Sequence, residues 1–217
     1  MRYILKALVS FLLVFAAATA LGYFLWYKPK FNHHSKNAAS LKRIDVNAAA
    51  MFRLKQKATQ FTVYNQDEQY ETAYCFLIDM RIASGKKRFF VYDLKKDSLA
   101  LAGLVTHGSG SEKRGDQLYF SNIPNSNCTS LGRYKIGASY QGKFGLAFKL
   151  YGLDKTNSKA FERFVVLHAH SCVPEEEVSP LSICESWGCP TVSPTFLTVL
   201  KKYIDKADKP IVLWIYY

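Results

Sequence analysis

The chain has 217 residues, with 29 Lys and Arg against 17 Asp and Glu, a formal net charge of +12. Hydrophobic residues make up 49% and aromatics 15%, which excludes an intrinsically disordered chain. The basic excess suits a polyanionic neighbour, but it is spread over small groups such as Lys86-Lys87-Arg88 and Lys201-Lys202, with no basic helix and no nucleic-acid motif, so nucleic acid is not an expected partner.

In chain order, Arg2 and Lys6 precede an uncharged run from Ala7 to Tyr27. At about 1.5 Å per helical residue this run is roughly 30 Å long, the thickness of a bilayer's hydrocarbon layer. Trp26 and Tyr27 fall where an interfacial aromatic belt would lie. Ala18-Thr19-Ala20 has the small-x-small form of a signal-peptide cleavage site, but the apolar run continues past it. The expectation is a membrane anchor or signal segment over residues 1–30, with an uncleaved transmembrane helix preferred. Either alternative puts the remaining chain outside the cytoplasm, anchored to the inner membrane or secreted. Residues 31–72 are expected to be a linker and helical segment, and 73–217 a catalytic domain.

From Ser40 to about Tyr64, Leu41, Ile44, Ala50, Leu54 and Ala58 recur at helical spacing. The period then changes. Tyr74–Met80 and Arg88–Leu94 are β-prone runs around the turn signal Ala83-Ser84-Gly85-Lys86. Further strands are expected over Leu99–Thr106, Leu118–Phe120, Gly132–Ile136, Gly145–Leu150 and Phe164–His170, and a final buried strand over Pro210–Tyr217. Pro194–Lys206 has an amphipathic helical pattern. Many short strands with few helices predict a mainly β (α+β) barrel or sandwich.

Five cysteines, at 75, 128, 172, 184 and 189, leave at least one thiol unpaired or reactive in an exported chain. Cys172 and Cys184 flank a loop and could pair in an oxidising compartment. Three polar clusters interrupt the apolar pattern: Thr106-His107-Gly108-Ser109-Gly110, Leu167-His168-Ala169-His170 and Ser186-Trp187-Gly188-Cys189-Pro190. A cysteine nucleophile needs a thiolate, and a nearby imidazole can take its proton. Gly188 permits backbone conformations that turn N–H groups toward the nucleophile, as an oxyanion hole requires. A lone buried Cys is more often a small hydrophobe than a nucleophile, and a strand-end His is more often a satisfied polar residue. His168, His170, Cys172, Cys184 and Cys189 also offer metal-ligating types, but their spacing matches no familiar zinc pattern, and neither a metal nor another cofactor is expected.

The His168 segment followed by Ser186-x-Gly188-Cys189 resembles the signature of YkuD-type L,D-transpeptidases, and the Ser-Trp-Gly-Cys-Pro box resembles the branch called the murein L,D-transpeptidase catalytic domain family. Asp79, the run Ser84–Leu94, Val105-Thr106-His107-Gly108-Ser109-Gly110, Phe120-Ser121-Asn122, Ser130-Leu131-Gly132-x-Tyr134 and Leu150-x-Gly152-Leu153-Asp154-x-x-Asn157 are similar to that branch in order and spacing, covering residue 75 to the C-terminus. The chain departs at Pro190 and at the acidic insert Glu175-Glu176-Glu177.

The resemblance implies a YkuD-like catalytic domain acting on peptidoglycan tetrapeptide stems in the cell wall. It implies Cys189 as nucleophile, His168 as base with His170 as the alternative, and backbone N–H groups at Trp187, Gly188 and Cys189 around the oxyanion. His107, Ser121, Asn122, His170 and Ser186 are the residues expected to line the cleft. Resolution of the thioester by an amine gives a crosslink, and resolution by water gives an L,D-carboxypeptidase. A membrane-anchored wall-binding protein without activity is the third alternative. Oligomeric state has no signal in the sequence.

Overall fold

The computed structural model describes residues 2–23, 46–112 and 117–217. The chain divides into two compact units, Met1–Arg43 and Ile44–Tyr217. In the first unit, α1 (Arg2–Gly22) is a helix of 21 residues. Residues 24–27 of the expected membrane-spanning run, and the expected linker after it, lie outside the described residues. Among the described residues no helix is long and apolar enough to cross a membrane. The charge-free part of α1, Ala7 to Gly22, rises roughly 24 Å at about 1.5 Å per residue, against a hydrocarbon layer of roughly 30 Å. The expected run, Ala7 to Tyr27, extends past the described part of α1, so the transmembrane expectation has no support among the described residues.

The second unit opens with α2 (Ala48–Tyr64). Asn47 caps it by accepting the Ala50 N–H at 2.8 Å, satisfying one of the donors a helix N-terminus leaves unpaired. Its buried stripe Ala50, Leu54, Ala58 and Phe61 follows the helical period, and Leu54, Ala58 and Phe61 pack on one face of the sheet against Leu77, Phe90, Tyr92 and Val212. Each large side chain so buried contributes about 1.5–3 kcal/mol.

The strands are β1 (Tyr74–Asp79), β2 (Phe89–Asp93), β3 (Ser98–Gly103), β4 (Gly132–Gly142), β5 (Gly145–Gly152), β6 (Val166–Ala169), β7 (Thr191–Val192) and β8 (Val212–Tyr216). They form one eight-stranded sheet in the order β3-β2-β1-β8-β4-β5-β6-β7. The mainly β expectation holds, but the strands make a single mixed sheet rather than two stacked ones. Two pairings are parallel, β1 with β8 and β6 with β7. Alternation along β8 sends Leu213 and Ile215 to one face and Val212 and Tyr216 to the other, so both faces carry an apolar cluster.

The second face is covered by α3 (Pro194–Lys206), whose Phe196, Leu197 and Leu200 pack against Phe76, Phe89 and Val91. Ser193 caps α3, accepting the Phe196 N–H at 3.2 Å, and Pro194 opens its first turn. The acidic insert completes this cap. Ser193 donates to Glu175 at 2.6 Å, and the Thr195 N–H donates to the same carboxylate at 3.2 Å. Negative charge at a helix N-terminus is stabilising. Glu177 accepts from the Lys87 N–H at 2.8 Å, tying the insert to the loop before β2.

Local signals located most strands, with three exceptions, the first being the short β7, which no expected strand covered. Leu118–Phe120 forms no ladder strand. The expected strands Gly132–Ile136 and Gly145–Leu150 extend into one long hairpin whose two-residue turn is Lys143-Phe144. That turn reaches the site described next.

Candidate active site

The site is built where β6 and β7 run side by side. Parallel pairing sets His168 opposite Thr191 and leaves Cys189 in the loop just before β7. The loop is held by backbone bonds to the His107 segment. Ser186 N–H donates to His107 O at 2.9 Å, and Ser109 N–H donates to Ser186 O at 2.8 Å. Ser186 Oγ donates to Cys189 O at 2.6 Å and accepts from the Gly188 N–H at 3.1 Å, closing a tight turn over the Ser186–Cys189 segment. Thr106 Oγ1 donates to the same Cys189 carbonyl at 3.2 Å.

Gly188 has φ +108°, a conformation that L side chains rarely adopt. A Cβ there would also lie 2.7 Å from Cys128 O and 3.3 Å from a guanidinium nitrogen of Arg163. Only glycine fits. The Gly188 N–H is bonded to Ser186, which takes it out of the expected oxyanion group, and the Trp187 and Cys189 N–H groups have no acceptor among the described backbone bonds.

Cys189 is half-buried, with Sγ 3.7 Å from Phe164 O. Burial pushes its thiol up, while the Val166 backbone and the Arg163 charge pull it down. His168 is buried. Its Nδ1 lies 3.1 Å from Ala169 O, a partner that can only accept, so Nδ1 carries the proton. Nε2 is then the accepting nitrogen, and the Thr191 hydroxyl donates to it at 2.9 Å. The ring of Phe144 stacks on the imidazole at 5.4 Å between centroids. Burial holds His168 below the ordinary imidazole value, with a further push from His170 against a pull upward from Ala169. A neutral imidazole with a free-rotating hydroxyl at Nε2 suits a base, because the hydroxyl can donate to the neutral ring and accept from the protonated one.

Two recesses meet at this pair. The larger, about 420 Å³, is lined among others by Tyr140, Lys143, Glu162, Arg163 and Phe164. The smaller, about 180 Å³, is lined by Thr106, His170, Glu185, Ser186 and Thr191 with Cys172. Phe144, His168, Trp187 and Cys189 line both. Trp187 is 77% exposed, presenting an indole to the groove.

The other residues expected at the cleft divide. His170 lines the smaller recess, with Nδ1 accepting the Cys172 N–H at 3.1 Å and its ring edge-on to Phe144. Ser186 lines it too while clamping the loop. His107 is buried behind the loop, its Nδ1 accepting from Arg88 at 3.0 Å and its Nε2 3.6 Å from Glu185, and it lines neither recess beside Cys189. Ser121 and Asn122 also line neither. Ser121 accepts from the Ile123 N–H, and Asn122 bonds Lys155, Ser158 and Lys159. Cys172 and Cys184 form a disulfide, which removes both from the pool of metal-ligating thiols. Sequence patterning missed Arg163, Thr191 and Phe144. Thr191 lies only two residues after Cys189. The other two reach the site through tertiary pairing.

Residues 45–216 match the family described as the L,D-transpeptidase catalytic domain, and the chain belongs to that family. The comparison with curated proteins gives no match. Among solved structures it is similar to Bd1075 of Bdellovibrio bacteriovorus, at 17% identity over 67% of this chain and 48% of that one, TM-score 0.42. It is similar to an L,D-transpeptidase from Xylanimonas cellulosilytica at 14% identity over 72% and 69%, TM-score 0.38. It is also similar to the helical cell shape determining protein Pgp2 of Campylobacter jejuni at 11% identity over 74% and 55%, TM-score 0.43. The chain spans about half the length of the first and third of these structures.

Proposed function

We propose that the chain is a peptidoglycan L,D-transpeptidase that transfers an acyl group through a thioester on Cys189. The observation that carries this is the convergence of Cys189 and a buried His168, with its accepting nitrogen assigned, on one open groove beside a positive-φ glycine. The substrate is a tetrapeptide stem ending in a diaminoacid and D-Ala. His168 takes the thiol proton, Sγ attacks the diaminoacid carbonyl, and the Trp187 and Cys189 N–H groups hold the oxyanion. The C–N bond breaks and D-Ala leaves with the proton from His168. An amine from a neighbouring stem then forms the new C–N bond, and sulfur leaves. The acting domain lies outside the cytoplasm, a location supported by the Cys172–Cys184 disulfide.

The test is muropeptide analysis after incubation with the purified chain. Crosslinked dimers are expected, and Cys189→Ala abolishes them. Shortened stems without dimers would assign water as the acceptor, making the enzyme an L,D-carboxypeptidase. Wall binding with unchanged stems would make it a non-catalytic wall-binding protein. A carbapenem should add covalently at Cys189, and an adduct on Cys75 or Cys128 instead would refute the assignment of the nucleophile.

A further inference from the structure

Arg163 brings a charge to the groove that the fold does not neutralise. Its Nη1 donates to Ser121 O at 3.0 Å and Ser130 Oγ at 3.1 Å, and its Nη2 donates to Cys128 O at 2.6 Å. All three acceptors are uncharged. No carboxylate lies within ion-pair distance of it among the described residues. Of the five guanidinium N–H groups, Nε–H and one Nη2–H remain. The 3.3 Å between Nη2 and a Cβ built on Gly188 sets the charged group against the turn that carries Cys189. Lys143 adds a second cation to the same recess, and Glu162 is its one acidic lining residue. The smaller recess carries Glu185 and neither Lys nor Arg. The groove is therefore electrostatically polar about the nucleophile.

The chemistry of the exchange makes that polarity meaningful. When the thioester forms, the C–N bond to the terminal residue breaks, and the departing group is an α-amino acid whose carboxylate lies two bonds from the departing nitrogen. When an amine resolves the thioester, the same transition state is crossed in reverse. The N–C bond forms, the C–S bond breaks, and the amine loses a proton that returns to sulfur through His168. Departing and arriving nitrogens thus occupy one side of the carbonyl.

We propose that Arg163 selects the leaving residue by pairing with its carboxylate, so that the larger recess holds first the departing α-amino acid and then the amine that replaces it. This rests on the acyl transfer proposed above. Arg suits the task because its planar fork can match a carboxylate with two parallel N–H bonds, and Nε–H and one Nη2–H are not used by the protein's own acceptors. The smaller, acidic recess is left for the acyl half of the donor stem.

The experiment compares two tetrapeptide stems with the full chain, one with a free terminal carboxylate and one with a terminal carboxamide. Release of D-alanine or D-alaninamide is followed by mass spectrometry. Hydrogen bonds to charged groups predict that kcat/KM for the acid exceeds that for the amide by roughly 10- to 100-fold. In Arg163→Gln that preference should collapse to within about threefold, and in Arg163→Lys part of it should return. A wild-type ratio near one overturns the proposal without any variant, which covers the case in which Arg163→Gln does not fold. Equal slowing of acid and amide in folded Arg163→Gln, with a shifted pH profile, overturns it by showing that the charge acts on the Cys189 thiolate instead. Loss of the preference in Lys143→Gln but not in the Arg163 variants transfers the role to Lys143 and also overturns it. Release from neither substrate overturns this proposal and the acyl-transfer function together, whereas equal release from both leaves that function standing.

Discussion

Gly188→Ala tests the link between backbone conformation and chemistry. An alanine at φ +108° sits in a region costing about 1–3 kcal/mol for a non-glycine residue. Its Cβ would meet Cys128 O at 2.7 Å, and that carbonyl cannot easily retreat because Arg163 Nη2 holds it at 2.6 Å. Relief must come from the turn itself, which moves the Trp187 and Cys189 N–H groups. For a chain of this size about 1 kcal/mol shifts Tm by roughly 2–4 °C, so a Tm fall of roughly 2–12 °C is expected. Losing an aligned oxyanion donor lowers acylation by about 10²- to 10³-fold. The assays are calorimetry and the rate of carbapenem adduct formation by intact mass. A variant acylated within twofold of the parent rate would refute the view that this turn shapes the oxyanion site.

Two further perturbations address His168. Thr191→Val removes the hydroxyl 2.9 Å from Nε2 while keeping the shape of the side chain. A hydrogen bond to a charged imidazolium contributes about 1.5–3 kcal/mol, so acylation should slow about 10- to 100-fold with little change in Tm, and an unchanged rate would remove Thr191 from the mechanism. Phe144→Ala exposes the imidazole at the hairpin tip. Burial is the leading cause of the depression of His168, so solvation should raise it toward the ordinary value near 6.5. In the proposed mechanism the neutral ring takes the thiol proton, so activity is lost as pH falls through this group. The acid limb of the pH–rate profile should therefore move to higher pH in the variant, and a limb that stays put or moves down would contradict the assignment of His168.

Glu175-Glu176-Glu177 illustrates how a departure from a sequence pattern can be structural. In the sequence it interrupts the segment after the candidate base. In the fold Glu175 completes the N-cap of α3 and Glu177 fastens the loop before β2, so the insert braces the sheet beside the site.

The sequence by itself determined what depends on neighbours in the chain. The helical spacing over Ser40–Tyr64 and Pro194–Lys206 located both helices of the second unit, although the caps at Asn47 and Ser193 that start them were not read from it. The hairpin between β1 and β2 follows from turn chemistry at Ala83–Lys86. The Ser186–Cys189 turn is legible because Ser186, Gly188 and Cys189 build it among themselves. The tertiary structure decided everything carried by pairing between distant segments. Parallel alignment of β6 and β7 brings Thr191 to His168, and the long β4–β5 hairpin lays Phe144 on the same ring. Arg163 reaches the nucleophile turn by bonding Cys128, 35 residues away. Such contacts leave no periodic trace, because strand order is set by burying both faces of one sheet at once and not by any property of a single strand.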